Sequence, residues 1–196
     1  MPSSEPIALI DLDGTLADFS GAMKTQMAEL ATPSELLEYP NLENEDLPWV
    51  KARRQLIKKQ PGFWESLAPI PEGFAVLEKL RQFDFDLNVL TKGPHSTPSA
   101  WAEKVNWCQK HVPDAQITVT QDKGLSYGKV LFDDWPDYIL RWLEWRPRGL
   151  VIMLDQPHNQ DFQHPNVFRY RRGLQAGEWQ KQEKELNRAL KAARRR

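Results

Sequence analysis

The sequence predicts an α/β fold: a doubly wound, mostly parallel sheet carrying a small helical cap insertion. Short apolar runs alternate with helix-like stretches along most of the chain, the pattern of strands linked by crossover helices. The runs end on polar or acidic residues, as at "IALIDLD", which places chemistry at the carboxyl ends of buried strands. One stretch, residues 20–68, breaks the alternation with helical patterns and prolines but no convincing strand.

The first strand is Ile7–Ile10, too short and apolar to be anything but buried. Asp18 follows as a candidate helix cap. The insertion contains "EDLPWVKARRQLIKKQ", a helical stretch, with turns around Pro33, Pro40 and Pro61. Pro71–Gln82 reads as a helix opened by proline. The strand "FDLNVL" follows, then a helix over Ser99–His111 preceded by Ser96 and Thr97 as capping candidates. "ITVT", "VLF" and "LVIML" are the remaining strands, with the helix Pro136–Trp145 between the last two. The end of the chain, "EWQKQEKELNRALKAARRR", is helix-prone and basic and lacks a wide apolar stripe. The expected organisation is a core of residues 1–19 and 69–175, a cap of residues 20–68, and a C-terminal helix or tail over residues 176–196.

At 196 residues the chain is long enough for one domain with a real core. Its formal net charge of −1 gives no global attraction to nucleic acid or anionic membrane. The single cysteine, Cys108, excludes an intrachain disulfide and suits a reducing compartment. No stretch reads as a signal or membrane segment, so the expectation is a cytoplasmic protein.

Two aspartates, Asp11 and Asp13, end the first strand, followed by Gly14, which permits a tight turn. Buried carboxylates need a partner, and paired oxygens suit Mg²⁺, a hard cation that shares its ligands with phosphates. An aspartate can also attack phosphorus as a nucleophile. Thr91 ends the strand in "NVLTKG", Lys104 lies in the following helix, and "VLFDDW" ends another strand on Asp133 and Asp134. The threonine hydroxyl and the ammonium can hold phosphoryl oxygens, and the acids supply a further metal ligand.

These residues, in this order at strand ends, resemble the motifs of the haloacid dehalogenase-like (HAD) phosphatase superfamily. Within it, "DLDGTLADF", "GFWESLAPIPEGFAVLEKL", "EKVNWCQKH", "ITVTQDKGL", "LFDD" and "LDQPHN" are similar to stretches of the 5'(3')-deoxyribonucleotidases. The resemblance implies a Rossmann-like HAD core and an Mg²⁺-dependent phosphomonoesterase, a 5'-nucleotidase on (deoxy)nucleoside monophosphates, working through an aspartyl-phosphate. It implies Asp11 as nucleophile and Asp13 as acid and then base. Asp11, the backbone carbonyl of Asp13, and Asp134 hold the metal, Asp133 supports them from behind, and Thr91 and Lys104 grip phosphate. Competing readings are a HAD phosphatase for a sugar phosphate or a nucleic-acid end, the latter through the basic tail, and a binding module that kept the fold without the reaction. A homodimer and a monomer are both compatible with the chain.

The cap is expected to select the substrate. Phe19, Phe63 and Trp64 either flank a base or pack the cap onto the core. Lys123 in "QDKG" matches a family position near the site, and an ordinary surface lysine is the other reading. Lys92 departs from the resemblance, standing where a small hydroxyl residue is usual. It either pairs with a surface acid or recognises a second anionic group on the substrate. The four histidines show no metal-ligand spacing.

Overall fold

The computed structural model describes residues 5–195. Six parallel strands form one sheet: β1 (Ile7–Ile10), β2 (Asp86–Lys92), β3 (Gln116–Thr120), β4 (Val130–Phe132), β5 (Leu150–Leu154) and β6 (Val167–Tyr170). Their order is β3-β2-β1-β4-β5-β6, and every neighbouring pair is parallel. The helices are α1 (Phe19–Glu29), α2 (Pro33–Glu38), α3 (Pro48–Lys58), α4 (Pro71–Gln82), α5 (Pro98–His111), α6 (Pro136–Trp145) and α7 (Ala176–Arg195).

Side-chain alternation along the strands creates two cores. Ala8 and Ile10 of β1, Val89 of β2 and Phe132 of β4 join the larger one, with Val76 and Leu77 of α4, Trp107 of α5 and Leu186 of α7. Leu9, Leu90, Leu131 and Met153 join the smaller one, under Ile139 and Trp142 of α6. The sheet is thus covered on both faces, which is why its strands read as apolar runs. Burying a large side chain such as Trp107 stabilises by about 1.5–3 kcal/mol, and its indole also donates to the Leu67 carbonyl at 2.7 Å.

The stretch between β1 and α4 is helical, comprising α1 to α3 and a short 3-10 turn at Leu42–Asn44. Asp18 caps α1, its Oδ1 accepting from Gly21 N at 2.9 Å. Glu103 of α5 anchors the closing segment, accepting from Gly62 N at 2.9 Å and Trp64 N at 3.0 Å.

One element departs from expectation. Strand β6, "VFRY", was not anticipated; it is four residues long and only Tyr170 is fully buried, so its apolar signal is weak. Of the two alternatives for the basic C-terminal stretch, helix or tail, the described residues form a helix docked on the core, with Gln182, Leu186, Leu190 and Ala193 as a narrow buried stripe. Its Arg194 pairs with Glu5 and Asp84, each at 2.8 Å. Among the described residues no helix is long and apolar enough to cross a membrane.

Candidate active site

The order in which strands are added to the sheet reverses between β1 and β4, and a ligand crevice forms at the carboxyl ends of strands at such a point. The register Ile10↔Phe132 puts Asp11 and Asp133 side by side there. The Asp11 N–H continues the ladder, donating to the Phe132 carbonyl at 2.8 Å. Carboxylate oxygens of Asp11, Asp133 and Asp134 all lie within 4.8 Å of one another, and all three residues are buried.

One cation stands among them. Lys123 Nζ lies 2.6 Å from Asp11 Oδ1 and 2.7 Å from Asp133 Oδ2, with the lysine itself buried. Its backbone belongs to the 3-10 turn Lys123–Leu125, capped by Asp122, whose own carboxylate is held by Arg141 at 2.8 Å. Burial pushes the Asp11 carboxyl well above the usual range; Lys123 opposes this, while Asp133, Asp134 and Asp13 push it further. Asp133 is raised for the same first reason. Burial alone would lower the Lys123 ammonium, but Asp11 and Asp133 outweigh it and raise it. Three buried acids against one lysine leave a local surplus of negative charge, and an all-oxygen donor set of that sign suits a hard divalent cation.

A second pair lies beside the first. Lys104 of α5 is buried, and its ammonium contacts Asp13 Oδ2, donates to Thr91 Oγ1 at 3.2 Å and donates to the Lys92 carbonyl at 2.8 Å. Thr91 is fully buried near the end of β2. The other Asp13 oxygen, Oδ1, is buried without a hydrogen-bond partner among the described residues. Lys104 also stands over the Trp64 ring at 4.5 Å.

Gly14 makes the turn at φ +83°, and a Cβ there would run into the Asp134 carboxylate. The segment after β5 supports the same turn. Gln156 Nε2 donates to the Gly14 carbonyl at 2.6 Å, and Asn159 Nδ2 donates to the Asp134 carbonyl at 2.8 Å. His158 Nε2 lies 3.2 Å from Asp134 Oδ2, and its ring sits beside Trp135, with centroids 4.7 Å apart and a tilt of 36°. Sequence reasoning gave these three no role. Their signal was a polar stretch, "DQPHN", directly after a fully apolar strand.

The substrate-pocket candidates divide. Phe63 and Trp64 are buried, and Phe19 stacks on Trp64 at 5.4 Å with an interplanar angle of 19°. Lys92 is exposed and donates to the Tyr138 hydroxyl at 3.2 Å; its partner is a tyrosine, not an acid. Two cations of α3 that the sequence reading passed over lie near this group. Lys58 stands 5.8 Å from the Phe19 ring centroid, and Arg54 precedes it by one helical turn.

The profile of the family described as "5' nucleotidase, deoxy (Pyrimidine), cytosolic type C protein" matches residues 5–189. The mitochondrial 5'(3')-deoxyribonucleotidase of Mus musculus is 28% identical over 172 residues, covering 79% of this chain and 75% of that protein. Its Homo sapiens counterpart is 27% identical, covering 79% of this chain and 72% of that protein. Among solved structures, a haloacid dehalogenase-like hydrolase from Burkholderia xenovorans superposes with a TM-score of 0.53 at 15% identity, covering 94% of this chain and 99% of that one. A dehalogenase solved as an intermediate complex superposes with a TM-score of 0.55 at 11% identity, covering 92% and 98%. These two structures share the fold.

Proposed function

The chain belongs to the deoxy (pyrimidine), cytosolic type C family of 5' nucleotidases, and on that premise we propose that it is an Mg²⁺-dependent phosphomonoesterase acting on nucleotides through an aspartyl-phosphate. The observation that carries the proposal is the convergence of buried Asp11, Asp133 and Asp134 within 4.8 Å at the switch point of the sheet. A solved HAD hydrolase from Bacillus subtilis with TM-score 0.51 is described as bound to magnesium.

In this reading Asp11 and Asp134, with the Asp13 backbone carbonyl, hold Mg²⁺, and Asp133 fixes Lys123 and the ligand turn behind them. When bound, the metal offsets the negative charge of the acids and the phosphate. Asp11 attacks phosphorus: a carboxylate O–P bond forms as the ester P–O bond breaks. The Asp13 carboxyl delivers its proton to the leaving alkoxide. Asp13, now a carboxylate, takes a proton from water as the water oxygen bonds to phosphorus and the Asp11–phosphorus bond breaks. Inorganic phosphate leaves and both aspartates return to their starting states. Thr91 and Lys104 face the non-reacting phosphoryl oxygens, since positioning and charge stabilisation dominate phosphoryl transfer. Residues 20–68 act as the cap over this crevice, and the cytoplasmic setting read from composition belongs to the same proposal.

The test is a phosphate-release screen over deoxynucleoside monophosphates and sugar phosphates, with Mg²⁺ and in excess chelator. Release from nucleotides that vanishes in chelator is expected. Full activity in chelator rejects the metal assignment, and activity confined to sugar phosphates rejects the nucleotide.

A further inference from the structure

The cations around the catalytic crevice are not equally committed. Lys123 is bound to Asp11 and Asp133, and Lys104 to Asp13 and Thr91. On α3, Arg53 grips Glu35, with Nη2 to Oε1 at 3.1 Å. Lys92 is taken by Tyr138. Among the described residues, Arg54 and Lys58 have no ion pair with an acid of this kind. Arg54 Nε is buried and has no hydrogen-bond partner among the described residues.

Their placement is unfavourable as it stands. They lie at i and i+4 on one helix, where like charges repel. Lys58 is about half-buried; desolvation and the Arg54 and Lys104 charges hold its ammonium below the ordinary lysine value, and Asp13 partly restores it. A chain of contacts ties Lys58 to the crevice: its ammonium stands 5.8 Å from the Phe19 ring, Phe19 stacks on Trp64 at 5.4 Å, and Trp64 lies under the Lys104 ammonium at 4.5 Å. Two crowded, partly desolvated cations become favourable when an anion sits between them.

The aromatic group argues the same way. Phe63 and Trp64 are 6% and 5% exposed, and the Phe19 ring is engaged by Trp64, by the edge of Phe63 and by the Lys58 ammonium. The cap side of the crevice therefore presents charge where an uncharged base would want a free aromatic face.

We propose that Arg54 and Lys58 form a second anion subsite, so that the preferred substrate is a phosphate monoester bearing a second acidic group, either phosphate or carboxylate. The inference rests on the phosphomonoesterase reading and narrows its substrate class. It also gives the second-anion role to α3 rather than to Lys92.

The test uses two matched pairs: thymidine 5'-monophosphate against thymidine 3',5'-bisphosphate, and glycerol 3-phosphate against 3-phosphoglycerate. The first pair reads a second phosphate and the second a carboxylate. The wild-type chain is expected to favour the more charged member of at least one pair by about tenfold or more in kcat/KM, the strength of a charge-assisted contact. Arg54→Gln and Lys58→Gln, both helix-compatible, are each expected to reduce that preference about tenfold with melting unchanged. No preference in either pair, or one that survives both variants, overturns the subsite. Binding of the same four compounds to Asp11→Asn, by calorimetry, needs no turnover. If wild type releases no phosphate from any of them yet the charged members bind selectively, the phosphatase reading fails and the subsite stands. Equal binding within both pairs overturns the subsite.

Discussion

Lys123 Nζ sits between the Asp11 and Asp133 carboxylates, 2.6 Å from one and 2.7 Å from the other, with all three residues buried. Lys123→Met keeps the volume and removes the charge, leaving two buried acids facing each other. Loss of one partner of a buried pair costs about 3–5 kcal/mol. The expected result is a marked fall in melting temperature in chelator, partly recovered by Mg²⁺, which supplies the missing positive charge. A chain that melts as wild type in chelator would show that these acids do not depend on the lysine.

Asp11→Asn is nearly isosteric and removes a buried negative charge, so folding should be retained or improved while turnover falls by at least about a thousandfold. Asp13→Asn should also lose turnover but retain the ability to be phosphorylated. Intact-mass measurement after mixing with substrate reads this as an added phosphoryl group on the second variant only. Near wild-type rates in Asp11→Asn with unchanged melting would rule out the covalent route.

Gly14→Ala tests the turn. The left-handed backbone costs a side chain roughly 1–2 kcal/mol, and the new Cβ collides with the Asp134 carboxylate. The larger effect should fall on the metal, as a raised Mg²⁺ concentration for half-maximal activity rather than as unfolding. Unchanged Mg²⁺ dependence would remove Asp134 from the ligand set.

Cys108 is fully buried on α5, and burial pushes its thiol up to about 12, with Asp13 adding to the rise and Lys104 opposing it. A thiol pKa raised by folding means the native state holds its proton longer than the unfolded chain. This stabilisation is complete below the unfolded value of about 8.5, and it is lost as pH rises through that value toward about 12. At pH 8 the native protein should resist alkylation, reacting only as fast as it unfolds. Rapid labelling without loss of structure would contradict the burial of α5 against the core.

Much of this was legible because the acids sit where apolar strands stop. "IALIDLD" and "VLFDD" give both position and chemistry, since few residues other than a metal or phosphate site justify such endings. Lys123 was less legible: a lysine in "QDKG" looks like any turn cation until β4 brings Asp133 to it. Gln156, His158 and Asn159 act on Gly14 and Asp134 across the sheet, a relation with no local pattern. Strand β6 was missed because only one of its four residues is fully buried. The pairing of Arg54 with Lys58 had a visible helical spacing, but nothing in the sequence distinguishes their face of α3 from that of Arg53, which finds Glu35.

The placement of β1 has a consequence for how the molecule is made. Both its hydrogen-bonding partners are encoded far downstream, at Asp86–Lys92 and at Val130–Phe132. During synthesis the first strand emerges early and waits with both edges open, while helices α1 to α4 can form locally behind it. Thr15 and Asp134, which meet beside Gly14, are 119 positions apart. A nascent chain stopped before β4 therefore carries Asp11 without Asp133 and Asp134, and a first strand with one edge still open, the kind of edge that a chaperone covers or that pairs with a neighbouring chain. The clustering of Asp11 with Asp133 and Asp134 and the closure of the sheet's centre are one event, so a chain made only as far as β3 has neither.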